Sequence, residues 1–213
     1  FKAEWMRYYD KPPPLDELQV YAAWDLAIGQ REHNDYSVGT VVGIDRHDDI
    51  WVLDQVAGRW DAQEIVNRIL DLSELWRPTQ VLVEKGHIDM AIGPFLDKRR
   101  MERGLNWVAI KSLPTGRRDK QARARGIQGL FQTGRVKLPK YGGWVDIFVQ
   151  ELLTFPFGKH DDRVDSIAWI GLYLTEMVPG KVKAVKQKPS WRDKLQKYVT
   201  RSDVDSDRSW LAS

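Results

Sequence analysis

Residues 155–170 read Phe155-Pro156-Phe157-Gly158-Lys159-His160-Asp161-Asp162-Arg163-Val164-Asp165-Ser166-Ile167-Ala168-Trp169-Ile170. Pro156 and Gly158 end the segment before them. Asp161 suits a helix N-cap, because its side chain can accept the N–H groups that a first turn leaves without partners. Val164, Ile167, Ala168, Gly171 and Leu172 then recur at helical spacing. Asp162 and Asp165 are three apart, so they share one face of the first turn. Acids at a helix N-terminus also complement its dipole and are ordinary there. Two same-facing carboxylates beside a third, where the helix turns into a core, would equally suit a hard cation such as Mg²⁺ or Mn²⁺. His160, just ahead of the cap, reads either as surface or as a base or ligand. What separates the readings is whether the fold brings more carboxylates to this place.

Two acids elsewhere qualify. Val20-Tyr21-Ala22-Ala23-Trp24-Asp25-Leu26-Ala27-Ile28 is a short apolar run closed by Gly29, which suits a buried strand. Asp25 interrupts it, and a carboxylate in a buried strand is costly unless it is paired or holds a metal. Val81-Leu82-Val83 is a second such strand, with Glu84 at its C-terminal end. Sites in α/β sheets gather at the carboxyl ends of strands. A surface pair of Glu84 with Lys85 is the plainer alternative.

The remaining elements follow from pattern. Tyr36 to Asp45 and Ile50 to Val56 are β-rich and flank the polar turn Arg46-His47-Asp48-Asp49, so the first three strands should form an antiparallel meander. Asp61 to Trp76 is an amphipathic helix with Asp61 as cap and Pro78 past its end. Ile92 to Arg103 is a helix that Gly104 stops. Trp107 to Ile110 reads as a fifth strand. A basic loop from Lys111 leads into a helix ending near Gln132. Gly134 to Pro139 is extended, and helices follow over Trp144–Thr154 and from Asp161 to about Met177. Residues 1–19, broken by Pro12-Pro13-Pro14, read as a lead-in or linker. Residues 20–178 read as one domain, and 179–213 as a basic tail, mobile or ordered by a partner.

The 213 residues suffice for one sizeable domain with a core. A hydrophobic share of 42% fits a globular chain. No apolar run is long enough to span a bilayer, so no membrane partner is expected. There is no Cys, which excludes disulfides and thiolate metal sites. The chain opens on Phe1, without the layout of a signal peptide, as expected of a fragment. Net charge is only +3, yet ten Lys or Arg fall between Lys98 and Arg125 and eight between Lys181 and Arg201. Basic flanks around an acidic centre are what a metal-dependent enzyme acting on nucleic acid needs. Each run alone is as readily a solvated helix face.

Three antiparallel strands and then helix-linked strands, with Asp25 on the first, Glu84 ending the fourth and acids opening a late helix, resemble the RNase H-like nucleases and integrases. The resemblance implies an α/β fold with a central mixed five-stranded sheet, three antiparallel strands then two parallel, flanked by helices. Strands one and four are neighbours in that arrangement. Asp25, Glu84, Asp162 and Asp165 would then be catalytic and would hold two divalent cations, Mg or Mn, with Asp161 as cap.

Within that superfamily the chain resembles the nuclease domain of the large terminase subunit of tailed bacteriophages. The matching pieces are Trp24-Asp25-Leu26-Ala27-Ile28-Gly29, Asp35-Tyr36-Ser37-Val38-Gly39, Val81-Leu82-Val83-Glu84, Asp119-Lys120-Gln121-Ala122-Arg123-Ala124, Gly134-Arg135-Val136-Lys137-Leu138-Pro139 and His160-Asp161-Asp162-Arg163-Val164-Asp165-Ser166. They cover roughly residues 20–178. Ser166 stands where family members often have Ala. The resemblance implies a metal-dependent endonuclease that cuts concatemeric double-stranded viral DNA in the host cytoplasm during genome packaging. It also implies an attached packaging ATPase domain, and a portal and small terminase subunit as partners. No G-x-x-x-x-G-K-[ST] loop occurs, so the chain is expected to be the nuclease half, beginning near the linker.

Arg117, Arg118, Lys120, Arg123 and Arg125 are the expected DNA-binding residues, making phosphate contacts that carry no sequence information. Two other readings compete. A RuvC-like Holliday-junction resolvase of similar fold would prefer four-way junctions over linear duplex. A non-catalytic DNA-binding or motor-docking module would use the acids only as caps and surface charge.

Overall fold

The computed structural model describes residues 1–27, 36–87, 92–114 and 120–177. Its sheet contains β1 (Arg7–Tyr9), β2 (Gln19–Asp25), β3 (Ser37–Ile44), β4 (Ile50–Gly58), β5 (Gln80–Glu84), β6 (Ile110–Leu113) and β7 (Val136–Pro139). β2, β3 and β4 form the antiparallel meander, β5 runs parallel to β2, and β6 runs parallel to β5. These five are the expected mixed sheet. Two short strands extend it to seven, in the order β1-β7-β4-β3-β2-β5-β6.

The helices are α1 (Ala62–Trp76), the single turn α2 (Lys85–His87), α3 (Gly93–Glu102), α4 (Lys120–Gln132), α5 (Val145–Thr154) and α6 (Asp162–Met177). Asp61 caps α1 as expected, its Oδ1 accepting from the Glu64 amide at 2.8 Å. Gly104 follows α3 with φ of +66°, a conformation that glycine adopts without Cβ strain.

The strands alternate between two cores. Val20, Ala22, Trp24, Val81 and Val83 pack under α1 and α3. Tyr21, Ala23, Val42 and Leu82 pack under α4, α5 and α6. Val164, Ile167 and Ile170 of α6 are fully buried. Each contributes about 2 kcal/mol, so packing rather than intrinsic propensity holds α6 to the sheet. α4 and α6 approach closely at their glycines: a Cβ on Gly171 would stand 2.6 Å from the Ile127 backbone nitrogen.

One strand lies later than expected. Trp107–Ile110 was the expected fifth strand, but β6 is Ile110–Leu113. Leu105 and Val108 are buried in a turn, with the Val108 amide donating to the Leu105 carbonyl at 3.0 Å. Pairing with β5 selects the strand instead, from Val81 opposite Ile110 to Glu84 opposite Leu113.

The segment 1–19, read from sequence as a lead-in, belongs to the same compact unit as the sheet, Phe1–Met177. β1 pairs with β7 at the sheet edge. The Tyr9 hydroxyl donates to the Val52 carbonyl at 2.7 Å, and Lys140 pairs with Asp10 at 2.8 Å. Phe1 packs edge-on against Phe131 and Phe155.

Candidate active site

Asp25 and Glu84 are the last residues of β2 and β5. Trp24 pairs with Val83 across these parallel strands, so the two acids come next, side by side. Side chains alternate along a strand. Ala23 and Leu82 face the core under α4–α6, and therefore so do Asp25 and Glu84, two residues further on. α6 packs across β2 and β3 on that face. Its first residue, Asp162, accepts from the Tyr36 amide at 3.4 Å. Tyr36 leads directly into β3, whose Val38 lies opposite Asp25. The ends of β2 and β5 and the start of α6 thus meet at one corner of the sheet.

Asp165 is deeper, at 3% exposure. Arg123 of α4 stands 3.4 Å from it and lies 5.0 Å over the Trp169 ring. The Asp161 carbonyl accepts the Asp165 amide at 2.9 Å, which places Asp161 at the cap position and Asp162 as the first helical residue. His160 lies beside Tyr36, ring centroids 6.0 Å apart, and the Arg59 guanidinium is 4.8 Å over the Tyr36 ring. Arg125 is exposed on α4. Arg123 is 17% exposed, turned to Asp165 and Trp169 rather than outward. Arg117, Arg118 and the Lys120 side chain lie outside the described residues.

Among the described residues, no three His, Asp or Glu side chains stand close enough to hold one ion. Like-charged carboxylates repel, and each can turn about its own side-chain torsions. Their oxygens are the hard donors that Mg²⁺ and Mn²⁺ prefer, and the backbone presents them at one corner. The donor set therefore fits divalent ions by type.

Directly behind the acids is an ion pair that sequence reasoning missed. Glu151 of α5 lies 3.3 Å from the Arg163 guanidinium and accepts the Arg163 amide at 3.0 Å. Burial pushes the Glu151 carboxyl above its ordinary range, against the pull of Arg163. Burial likewise lowers the Arg163 guanidinium, against the charge of Glu151. Both shifts run toward neutrality, so desolvation outweighs the attraction within the pair.

A meander with an acid ending its first strand, a parallel neighbour with an acid at its tip, and a covering helix that opens on acids define an RNase H-like domain. The chain belongs to the family described as the terminase RNase H-like domain, whose model matches residues 22–174. It is similar to the large terminase nuclease from thermophilic phage G20c, at 18% identity and a TM-score of 0.57, over 78% of this chain and 92% of that one. The same nuclease with bound zinc gives a TM-score of 0.53 at 18% identity, over the same 78% and 92%. The human cytomegalovirus terminase nuclease domain, Mn soaked and inhibitor bound, matches at 13% identity and a TM-score of 0.54, over 79% and 89%. No curated protein sequence matches the chain significantly. Among the described residues, no helix is long and apolar enough to cross a membrane.

Proposed function

We propose that this chain is a metal-dependent endonuclease that cuts double-stranded DNA during viral genome packaging. The observation that carries this reading is the juxtaposition of Asp25 and Glu84 on the strand face covered by the acid-bearing start of α6. The family, and the zinc-bound and Mn-soaked relatives, support it.

Asp25, Glu84, Asp162 and Asp165 are the residues that would hold two Mg or Mn ions. Two such ions, when bound, supply activation of water and stabilisation of the leaving oxygen in phosphodiester hydrolysis. The chain itself supplies the fixed negative charge that gathers them. The strand ends and the first turn of α6 hold that charge in place before substrate arrives. Arg125, with Arg117, Arg118 and Lys120, is the proposed track for the DNA backbone, whose contacts would be sequence-independent. Arg123 serves that track less directly, because it faces Asp165. An attached ATPase domain, a portal and a small terminase subunit are the proposed partners, in the host cytoplasm. Residues 20–178 would carry the nuclease chemistry, with the β1 segment built onto the same sheet, and 179–213 would be a basic tail.

Asp25→Ala tests the reading. The wild type should cleave linear plasmid in Mg²⁺ or Mn²⁺ and not after chelation. Asp25→Ala should lose cleavage while still showing a cooperative melting transition, which separates loss of the site from loss of the fold. Full cleavage by Asp25→Ala sinks the assignment.

A further inference from the structure

Arg163 lies between Asp162 and Asp165 on the first turn of α6. Its Nη1 donates to Gln55 Oε1 at 2.5 Å. Gln55 Nε2 donates to Thr40 Oγ1 at 2.9 Å. The hydroxyl oxygens of Thr40 and Ser166 are 2.6 Å apart. Ser166 Oγ donates to the Arg163 carbonyl at 2.9 Å. Gln55, Thr40 and Ser166 are all buried.

The direction of every bond follows from donor chemistry. A guanidinium only donates, so Gln55 must turn its oxygen to Arg163 and its NH₂ to Thr40. Each hydroxyl owns one proton. That of Ser166 is spent on the Arg163 carbonyl, so that of Thr40 must go to Ser166. The bonds therefore run one way round a closed ring, from the Arg163 side chain through Gln55, Thr40 and Ser166 to the Arg163 backbone. Bonds aligned in this way polarise one another, and a break in one leaves a buried polar group without its partner.

The ring sits directly behind the acids. Thr40 lies opposite Ala23 on one side and Gln55 on the other. Ala23 is two residues before Asp25 on the same face. One row of the sheet thus carries the ring, and the next row in that direction carries Asp25. The apolar contacts of α6 are non-directional and would tolerate a small slide along the sheet. The ring is directional and would not.

Resting on the nuclease reading above, we propose that Thr40, Gln55 and Arg163 are positioning residues. Their ring, closed by Ser166, sets where the first turn of α6 stands, and so where Asp162 and Asp165 meet Asp25 and Glu84. Its loss acts on the metal site through α6 and on nothing else in the reaction.

The test is Mn²⁺ binding by the full chain without DNA, followed by electron paramagnetic resonance of free Mn²⁺, alongside melting curves. Thr40→Val is nearly isosteric but removes the hydroxyl; Thr40→Ser keeps it. Thr40→Val is expected to weaken Mn²⁺ binding about tenfold, the low end of what groups behind metal ligands command. Thr40→Ser should bind close to wild type. A merely structural role would lower the melting temperature of Thr40→Val and leave Mn²⁺ binding by the folded protein untouched. If Thr40→Val fails to fold, Ser166→Ala, which opens the ring at its last link, is measured the same way. Wild-type affinity in the folded variant overturns the role of the ring and leaves the nuclease reading standing. A wild-type chain that binds no Mn²⁺ overturns the nuclease reading, and the role of the ring with it.

Discussion

Arg123 Nη2 stands 3.4 Å from Asp165 Oδ1, joining α4 to α6 at the most buried acid of the site. Arg123→Ala leaves that carboxylate without this cation in a place of little water. The expected loss is about 3 kcal/mol, read as a lowered unfolding midpoint in urea. Mn²⁺ should restore part of it, because a bound cation stabilises the folded state by mass action. Arg125→Ala removes an exposed charge on the same helix and should shift stability by less than about 0.5 kcal/mol. It should instead weaken DNA binding and flatten its salt dependence by about one contact. An Arg123→Ala protein as stable as wild type would mean that Asp165 is neutralised by something else.

The α6 acids should separate in activity. Asp161 is at the cap position, and Asn caps about as well as Asp, so Asp161→Asn should cleave linear plasmid nearly as well as wild type. Asp162→Asn and Asp165→Asn should each cost far more, because a neutral amide oxygen does little to offset the charge of a dication. A dead Asp161→Asn beside an active Asp162→Asn would move the ligand pair to Asp161 and Asp165, still on one helix face.

Glu151 ties stability to pH in a defined direction. Burial raises its folded pKa above the ordinary 4.5. The folded state then takes up a proton before the unfolded state does. That stabilisation is complete below the unfolded value and disappears as pH rises through the folded one. Glu151→Gln removes this titration and also leaves Arg163 without its counter-charge, so the pH dependence of the difference, and not its size, reports the raised carboxyl. As pH falls from neutral to about 4.5, the wild type should gain melting temperature relative to Glu151→Gln. A difference that stays flat across the range would show that the raised carboxyl plays no part in stability.

Much of this was legible in the chain. The meander, α1 with its Asp61 cap, β5 tipped by Glu84 and the span of α6 each carry their own period and stop signals. The order of those elements was enough to set Asp25 beside Glu84. β6 was misplaced because its ladder with β5 overrides local hydrophobicity: Trp107 is apolar yet 41% exposed, while Lys111 and Ser112 lie in the strand. β1 and β7 are three and four residues long, too short to show a period. The polar groups behind the site were out of reach for another reason. Thr40 and Ser166 are 126 positions apart, Gln55 and Arg163 108 apart, and no local pattern joins them. Arg123 was visible only as one charge in a basic run, and its turn toward Asp165 depends on how closely α4 meets α6.

β1 has one more implication. A sheet edge presents a row of unpaired N–H and C=O groups, a template on which another chain can grow. Here three residues from the start of the chain lie along β7 and take up that row on one side. β1 is itself short, which blunts the new edge it makes. A chain cut back to residue 20 would keep every acid of the site and lay the β7 edge open to pairing. The stretch that looks most dispensable for catalysis is the one that covers this edge.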